Sequence, residues 1–305
     1  MHRDSPHRIA ITGGTGFVGR HLAERYPADR VVAVSRRTGV DVDDVDALAR
    51  AFEGCDVVAH FAGINREIGD QTYERVHVRG TEAVIAASRR AGVRKIILLS
   101  FLRARPGTGS GYHESKWAAE ELVRQSGLDF TILKAGMIYG HGDHLVDHLS
   151  HVVQTMPFFA TVGLREKTIR PVPVGELIDV VVAAAEGRMP RQTIAVVGAE
   201  TLTMTKAVRR VAAVVGRPVI VIPAPVWALQ LLGRVTELTM HVPLVAVAQV
   251  RMLAEGVSTP APPTGSPPHD LRPRLPFDRE QITASLPPAG GFTLRDLRLP
   301  RRAGR

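Results

Sequence analysis

A tyrosine and a lysine four residues apart, Tyr112 and Lys116, stand in the run Gly111-Tyr-His-Glu-Ser-Lys-Trp-Ala-Ala-Glu-Glu121. On a helix the two share a face. An ammonium near a phenol favours the phenolate, which suits the pair to proton exchange, and the lysine can also bond a nicotinamide ribose. A second stretch, Arg8-Ile-Ala-Ile-Thr-Gly-Gly-Thr-Gly-Phe-Val-Gly-Arg20, carries Gly-x-x-Gly-x-x-Gly at Gly13, Gly16 and Gly19. Gly13 and Gly16 allow a tight turn and a close approach of backbone to a pyrophosphate. Gly19 lets the following helix pack close to the preceding strand. Thr12, Gly14, Thr15, Phe17 and Val18 complete this dinucleotide-binding turn, and the first N–H groups of the helix face the phosphates.

These groups need a sheet to hold them. Ile9–Thr12 is an apolar strand, and Arg30-Val-Val-Ala-Val-Ser35 reads as a buried parallel strand. Ser35, Arg36 and Arg37 follow it, where an adenosine ribose lies in a dinucleotide fold. No acid stands there to bond a 2′-hydroxyl, and arginine suits a 2′-phosphate, so NADP is favoured over NAD. Gly39-Val-Asp-Val-Asp-Asp44 reads as a short third strand running into a helix over 45–53. Asp41 and Val42 are placed to approach the adenine, and Asp43 or Asp44 caps the helix. Asp56–Gly63 is the fourth strand with its exit loop, where Phe61, Ala62 and Gly63 pass the cofactor. A helix over 71–91 turns Val76, Ala83, Val84 and Ala87 to the sheet and ends at Gly92. Val93–Ser100 is the fifth strand.

On Thr12–Gly19, Asp56–Gly63, Val76–Thr81, Tyr112–Lys116, Met137-Ile-Tyr-Gly140 and Ile169-Arg-Pro-Val-Pro-Val174, the chain resembles the extended short-chain dehydrogenases/reductases, also described as NAD-dependent epimerases/dehydratases. The short link from the fifth strand to Tyr112 and the run Leu128-Asp-Phe-Thr-Ile-Leu-Lys134 are most similar to an atypical branch that includes an accessory subunit of respiratory complex I. The resemblance implies Tyr112 as general acid/base, Lys116 as its partner and ribose ligand, and a Ser or Thr near the end of the fifth strand that bonds the reacting oxygen. Ser100 is nearest. In many relatives the working hydroxyl stands one residue on, which here is Phe101, and Ser110 or Thr108 could substitute. His77 stands where relatives usually have Asn, which bears on a proton relay or the local backbone. Lys134-Ala135 replaces Arg-Pro after the sixth strand, which bears on the loop over the nicotinamide.

The implied fold is α/β: a doubly wound, Rossmann-type parallel sheet with a smaller C-terminal substrate lobe. Residues 1–140 form the NAD(P)-binding domain, with elements returning to it within 165–200, where strands at 168–174 and 192–197 flank a helix near 175–187. Residues 141–255 form the substrate lobe and apolar lid helices, and 256–305 a Pro-rich linker and basic tail. Function is then hydride transfer between NADP and a carbonyl or alcohol carbon of a small molecule. A same-fold sugar-type epimerase or dehydratase, or an NAD(P)-binding structural or regulatory protein without turnover, is the alternative.

The 305 residues suffice for a sizeable core, and their one cysteine, Cys55, excludes an intramolecular disulfide framework and fits a reducing compartment. Met-His-Arg-Asp-Ser-Pro does not read as a signal peptide, and no apolar run is long enough to span a bilayer, so a cytoplasmic setting is expected. Much of the net charge of +9 gathers near the C-terminus (Arg272, Arg274, Arg279, Arg295, Arg298, Arg301, Arg302, Arg305) without interleaved aromatics, which argues against nucleic acid. His141, His144, His148 and His151, with Asp143 and Asp147, could share a helical face. Two such imidazoles with an aspartate could bind zinc, but polar residues lining a cleft or the surface are favoured over a metal site. The apolar stretch 224–254, with Trp227, Leu229, Leu231, Leu232, Leu244 and Val245, reads as one or two helices forming a lid, or a membrane-surface or partner contact. A homodimer is also open.

Overall fold

The computed structural model describes residues 8–143, 145–239, 245–288 and 290–291. The chain forms two compact units. One takes the chain up to Gly136, then Val172–Val197 and Thr259–Arg274. The other takes Met137–Pro171, Gly198–Ser258 and the chain from Leu275.

The first unit alternates strands and helices: β1 (Ile9–Thr12), α1 (Phe17–Ala23), β2 (Val31–Val34), α2 (Val45–Phe52), β3 (Val57–His60), α3 (Gly80–Arg90), β4 (Lys95–Phe101), α4 (Gly111–Arg124) and β5 (Asp129–Ala135). A helix over Val174–Ala185 and a strand over Gln192–Val196 return to it. The sheet order is Gln192–Val196, β5, β4, β3, β1, β2, and every pairing is parallel. Strands covered on both faces need apolar side chains on both, which is why Ile9-Ala-Ile11, Val57-Val-Ala59 and Ile96-Ile-Leu98 are continuous apolar runs, all buried. Leu48, Phe52, Val84 and Ala87 fill one core layer, and Ile96, Val123, Phe130 and Ile132 another. On the opposite face α1 packs against Val174–Ala185.

The chain winds outward from β1 in two directions, to β2 on one side and to β3, β4 and β5 on the other. The C-terminal ends of β1 and β3, Thr12 and His60, are paired neighbours at this switch point. A crevice there is where open α/β sheets take ligands.

Gly39–Asp44 forms no strand, so the strands read as fourth and fifth are β3 and β4, and β2 is the edge of the sheet. The aspartates explain the difference. Asp41 Oδ1 accepts from the Val42 amide, and the Asp41 and Asp43 carboxylates both bind the Arg75 guanidinium. Side chains that close local turns and reach another element do not leave a flat ladder. Asp44 caps α2, accepting from Ala47 N at 2.9 Å. The helix read over 71–91 begins with a π-type turn at Glu74–Arg79 before α3.

In the second unit a parallel ribbon pairs Phe158–Val162 with Ile220–Ala224, and an antiparallel one pairs Thr168–Ile169 with Leu202–Thr203. Helices span Leu145–Thr155, Met204–Val215, Val226–Thr239, Val247–Glu255 and Arg279–Ser285. Tyr139, Leu149, Val208, Val211, Phe277 and Ile282 share its core. The segment read as a linker is therefore a correction. Residues 259–274 lie along the first unit, where Gly265 O accepts from Ala195 N and Leu102 O from Ala261 N, and Phe277 enters the second core. Proline-rich composition resists ladder formation but not packing in an extended form. Leu244, His144 and the basic residues from Arg295 onward lie outside the described residues. No helix among the described residues is long and apolar enough to cross a membrane.

Candidate active site

At the switch point Gly13 adopts φ +71°, and a Cβ there would lie 2.8 Å from Ala62 N and 2.9 Å from the Phe61 carbonyl carbon. The β1 turn and the β3 exit loop thus run backbone against backbone. A Cβ on Gly19 would fall 2.3 Å from Gly13 O and 2.8 Å from Gly14 Cα, so α1 starts directly on the turn. Gly14 is equally confined, by Ala33 and Ile11 O. Gly16 is exposed at the N-cap of α1, and no side chain caps that end. Thr15, Phe17 and Val18 are partly exposed around it. Bare backbone at a positive helix end, held open by glycines, fits a pyrophosphate.

At the end of β2, Ser35 caps a short 3₁₀ turn over Arg36–Thr38, with Ser35 and Thr38 bonding each other's amides. Arg36 and Arg37 are exposed on it. Asp41 and Val42 follow in a loop pinned by Arg75 and by Val42 against Gly80, where a Cβ would meet Val42 Cγ1 at 2.9 Å.

Beneath the crevice lies a line of buried polar groups that sequence reading did not connect. Thr12 Oγ1 accepts from Ala62 N and lies 2.7 Å from His60 Nδ1. His60 Nε2 lies 3.0 Å from Thr81 Oγ1, whose hydroxyl donates to His77 O at 2.6 Å. His77 Nε2 accepts from Ile64 N at 3.1 Å, so Nδ1 carries the hydrogen toward Ser115 Oγ at 2.8 Å, and Ser115 donates to Tyr112 O. Burial, with the Lys116 charge adding to it, holds His60 at about 3 and His77 at about 2, so both are neutral. His77 thus fixes the Ile64 amide of the β3 exit loop to Ser115 of α4. It acts on the local backbone, one of the two effects its replacement of Asn could have.

Tyr112 and Lys116 lie on α4 as their spacing requires. The Tyr112 ring packs among Phe101, Tyr73 and His77, with centroids at 5.2, 5.7 and 5.8 Å. Lys116 Nζ donates to Leu99 O at 3.3 Å, and a Cβ on Gly63 would lie 3.0 Å from it. The ammonium therefore sits between the end of β4 and the β3 exit loop. Burial lowers Lys116 to about 8, against the pull of Glu120. The Tyr112 phenol is displaced the other way. Burial in the aromatic cluster, with Tyr73 beside it, pushes its pKa up, which corrects the expectation of a phenol lowered by lysine.

The hydroxyls divide. Ser100 Oγ donates to Glu120 Oε1 at 2.5 Å within a buried network, while the next residue, Phe101, packs on Tyr112. Successive side chains of a strand point to opposite faces, so Ser100 is turned from the tyrosine. Ser110 Oγ lies 2.8 Å from His113 Nδ1 on the approach to α4, and Thr108 accepts from Ser110 N. Lys134 is not in a loop over the crevice. It is a fully buried residue of β5, 3.2 Å from Glu120 Oε1, and it donates to Ala104 O. Among the described residues no group of three or more His, Cys, Asp or Glu side chains is placed to hold a metal ion.

Tyr73 and the Glu120–Lys134 pair were missed in the sequence. Tyr73 stacks on His77, and its hydroxyl donates to Asn65 O. Its only linear signal is its place one turn before His77. Glu120 stands one turn after Lys116, where it reads as a solvated helix face.

The sequence model of the NAD dependent epimerase/dehydratase family matches residues 9–158. A ceramide reductase of Caulobacter vibrioides is 35% identical over 159 residues, 47% of this chain and 50% of that protein. The chain thus matches half the length of that relative. MoeE5 in complex with UDP-glucose and NAD superposes with a TM-score of 0.66 at 18% identity, covering 91% of this chain and 97% of that one. The dTDP-4-dehydrorhamnose reductase of Bacillus anthracis in complex with NADP gives 0.61 at 18% identity, covering 72% and 84%. At these identities the two structures report the fold.

Proposed function

Since residues 9–158 match the model of the NAD dependent epimerase/dehydratase family, we propose that the chain is an NADP-dependent oxidoreductase working in the reductive direction on a carbonyl compound. The observation that carries this is the placing of Tyr112 and Lys116 on one face of α4, with Lys116 Nζ at Gly63 beside the switch point. A bound nicotinamide would supply hydride. Gly13–Gly19 would hold the pyrophosphate, Arg36 and Arg37 the 2′-phosphate, and Asp41 and Val42 would border the adenine.

This chain's residues handle the proton. A phenol whose pKa is raised by burial is protonated at neutral pH and gives its proton to the oxygen of the reduced carbonyl. The Lys116 ammonium offsets the negative charge left on Tyr112 and bonds the ribose. Ser110 or Thr108, on the approach to α4, is the hydroxyl to orient the reacting oxygen, since Ser100 is committed to Glu120. The name of the Caulobacter relative, a reductase, supports this direction.

The test is Tyr112→Phe, with a fluorescence titration of NADPH and NADH alongside turnover. Turnover falls at least a hundredfold while NADPH affinity holds. Arg36→Ala/Arg37→Ala weakens NADPH about tenfold and leaves NADH unchanged. The reductive rate of the unaltered chain declines through about pH 8 as Lys116 loses its proton. Unchanged turnover in Tyr112→Phe overturns the assignment. Phe101, where relatives carry a hydroxyl, favours a second reading: a dinucleotide-binding protein without turnover. NADPH binding without reduction of any of a carbonyl panel supports it.

A further inference from the structure

The helix over Val226–Thr239 packs with its small residues inward. Gly233 lies against Val247, where a Cβ would be 3.1 Å from the backbone nitrogen, and Thr236 donates to Val245 O at 2.8 Å. Leu229 alone among its large apolar residues is buried. Val226 packs partly on the same cluster, whereas Trp227, Leu231 and Leu238 are 70%, 57% and 75% exposed, with Leu232 and Val235 beside them. A helix folded only for its own domain does the reverse. The ribbon it rests on repeats the pattern. The face carrying Val162 and Ala224 is covered by Leu229 and Val250, and further along the same face Phe158, Ile220 and Ile222 are exposed. Leu164 is exposed where Gly163 N bonds Ala224 O, at the start of the helix.

Exposed cations stand within this apolar face or next to it in sequence. Arg234 lies within the stripe formed by Trp227, Leu231 and Leu238. Arg165 and Lys167 follow Leu164, and Arg217 precedes Ile220; all four are exposed. None of them pairs with a carboxylate among the described residues. The acids nearest in sequence are turned elsewhere: Glu166 accepts from Thr205 N, and Glu237 accepts from Val247 N. Exposed aromatic and aliphatic side chains, with unpaired cations and no facing carboxylates beside them, match the boundary of an anionic bilayer.

We propose that this face, the outer side of Val226–Thr239 with the Phe158–Ile220 end of the ribbon, docks on the surface of anionic phospholipid membranes. The apolar side chains enter the acyl boundary and the four cations meet the headgroups. The inference stands apart from the reading of Tyr112 and Lys116, which lie in the first unit.

The experiment is flotation of the full chain with vesicles of phosphatidylcholine alone and of phosphatidylcholine with 30% phosphatidylglycerol. Binding to the anionic vesicles is expected, weakened at least tenfold by Trp227→Ser/Leu231→Ser. Each of Arg165→Ala and Arg234→Ala weakens it about fivefold. Both substitutions of the apolar pair are at exposed sites, and an unchanged thermal melt and NADPH titration show that the variant folds. Absence of binding to the anionic vesicles overturns the proposal. So does equal binding to both vesicle types, which removes the role of the cations. A dimer seen by light scattering and abolished by Trp227→Ser/Leu231→Ser, with no flotation, assigns the face to a second copy of the chain instead.

Discussion

At Gly13 two constraints coincide, a φ of +71° and a neighbouring backbone that leaves no room for a Cβ. Gly13→Ala meets both. The conformation alone costs roughly 1–2 kcal/mol, and the displaced Phe61–Ala62 loop deforms the crevice. Urea unfolding should show the loss, and an NADPH titration should show binding weakened well beyond it. The two buried histidines set a pH dependence of stability. Both are neutral when folded, with folded values of about 3 and about 2, and both take up a proton on unfolding below their ordinary value of 6.5. Stability from them is complete above pH 6.5 and is lost as pH falls below it, by about 1.4 kcal/mol per pH unit for each imidazole. His60→Gln should flatten the fall between pH 6.5 and 5 measured by urea melts. Glycine and Tyr–Lys spacing were legible in the sequence because each depends on residues a few positions apart. The choice between Ser100 and Phe101 was not, because it turns on the phase of one strand. His77 was recognised as a departure, but its partners Ile64 and Ser115 meet it only in three dimensions.

Between β4, α4 and β5 the buried network has its own consequence. Glu120 receives Ser100, Lys134 and Arg124, and Trp117 lies under both cations, 5.3 Å from Arg124 and 5.7 Å from Lys134. Glu120→Leu leaves the Lys134 ammonium buried with the Ala104 and Ala261 carbonyls and the Trp117 ring but no counter-charge, a loss of about 3–5 kcal/mol. Lys134→Leu leaves Glu120 still held by Arg124 and Ser100, so it costs less, and Glu120→Leu/Lys134→Leu is more stable than Glu120→Leu alone. Denaturant midpoints of the three variants test the order. Elements with unbroken apolar runs or a helical pattern were legible: β1, β3, β4, α4 and the helix at Val174–Ala185 follow them. Gly39–Asp44 was not, because alternation of valine with aspartate is common to a strand and to a loop whose aspartates bond locally. The π-type turn before α3 leaves no mark in composition.

Across the whole molecule, residues after 258 divide between the two units. Phe277 sits edge-on to Tyr139 at 4.9 Å, and its carbonyl accepts from Arg210. Phe277→Ala should lower stability by about 3–5 kcal/mol, read as a fall in the melting temperature. Proline content hid this packing from sequence reading. The division has a further consequence for how the chain is made. The first unit's sixth strand, Gln192–Val196, leaves the ribosome only after residues 137–171 of the second unit, and its edge partner Gly265 only after residues 198–258. Neither unit has its full set of residues until the other is nearly complete. Folding during synthesis must therefore hold β1 to β5 as an unfinished sheet with an open edge at β5, the state in which a nascent chain is most exposed to aggregation and to chaperone capture. No single cut in the gene yields two halves that fold apart.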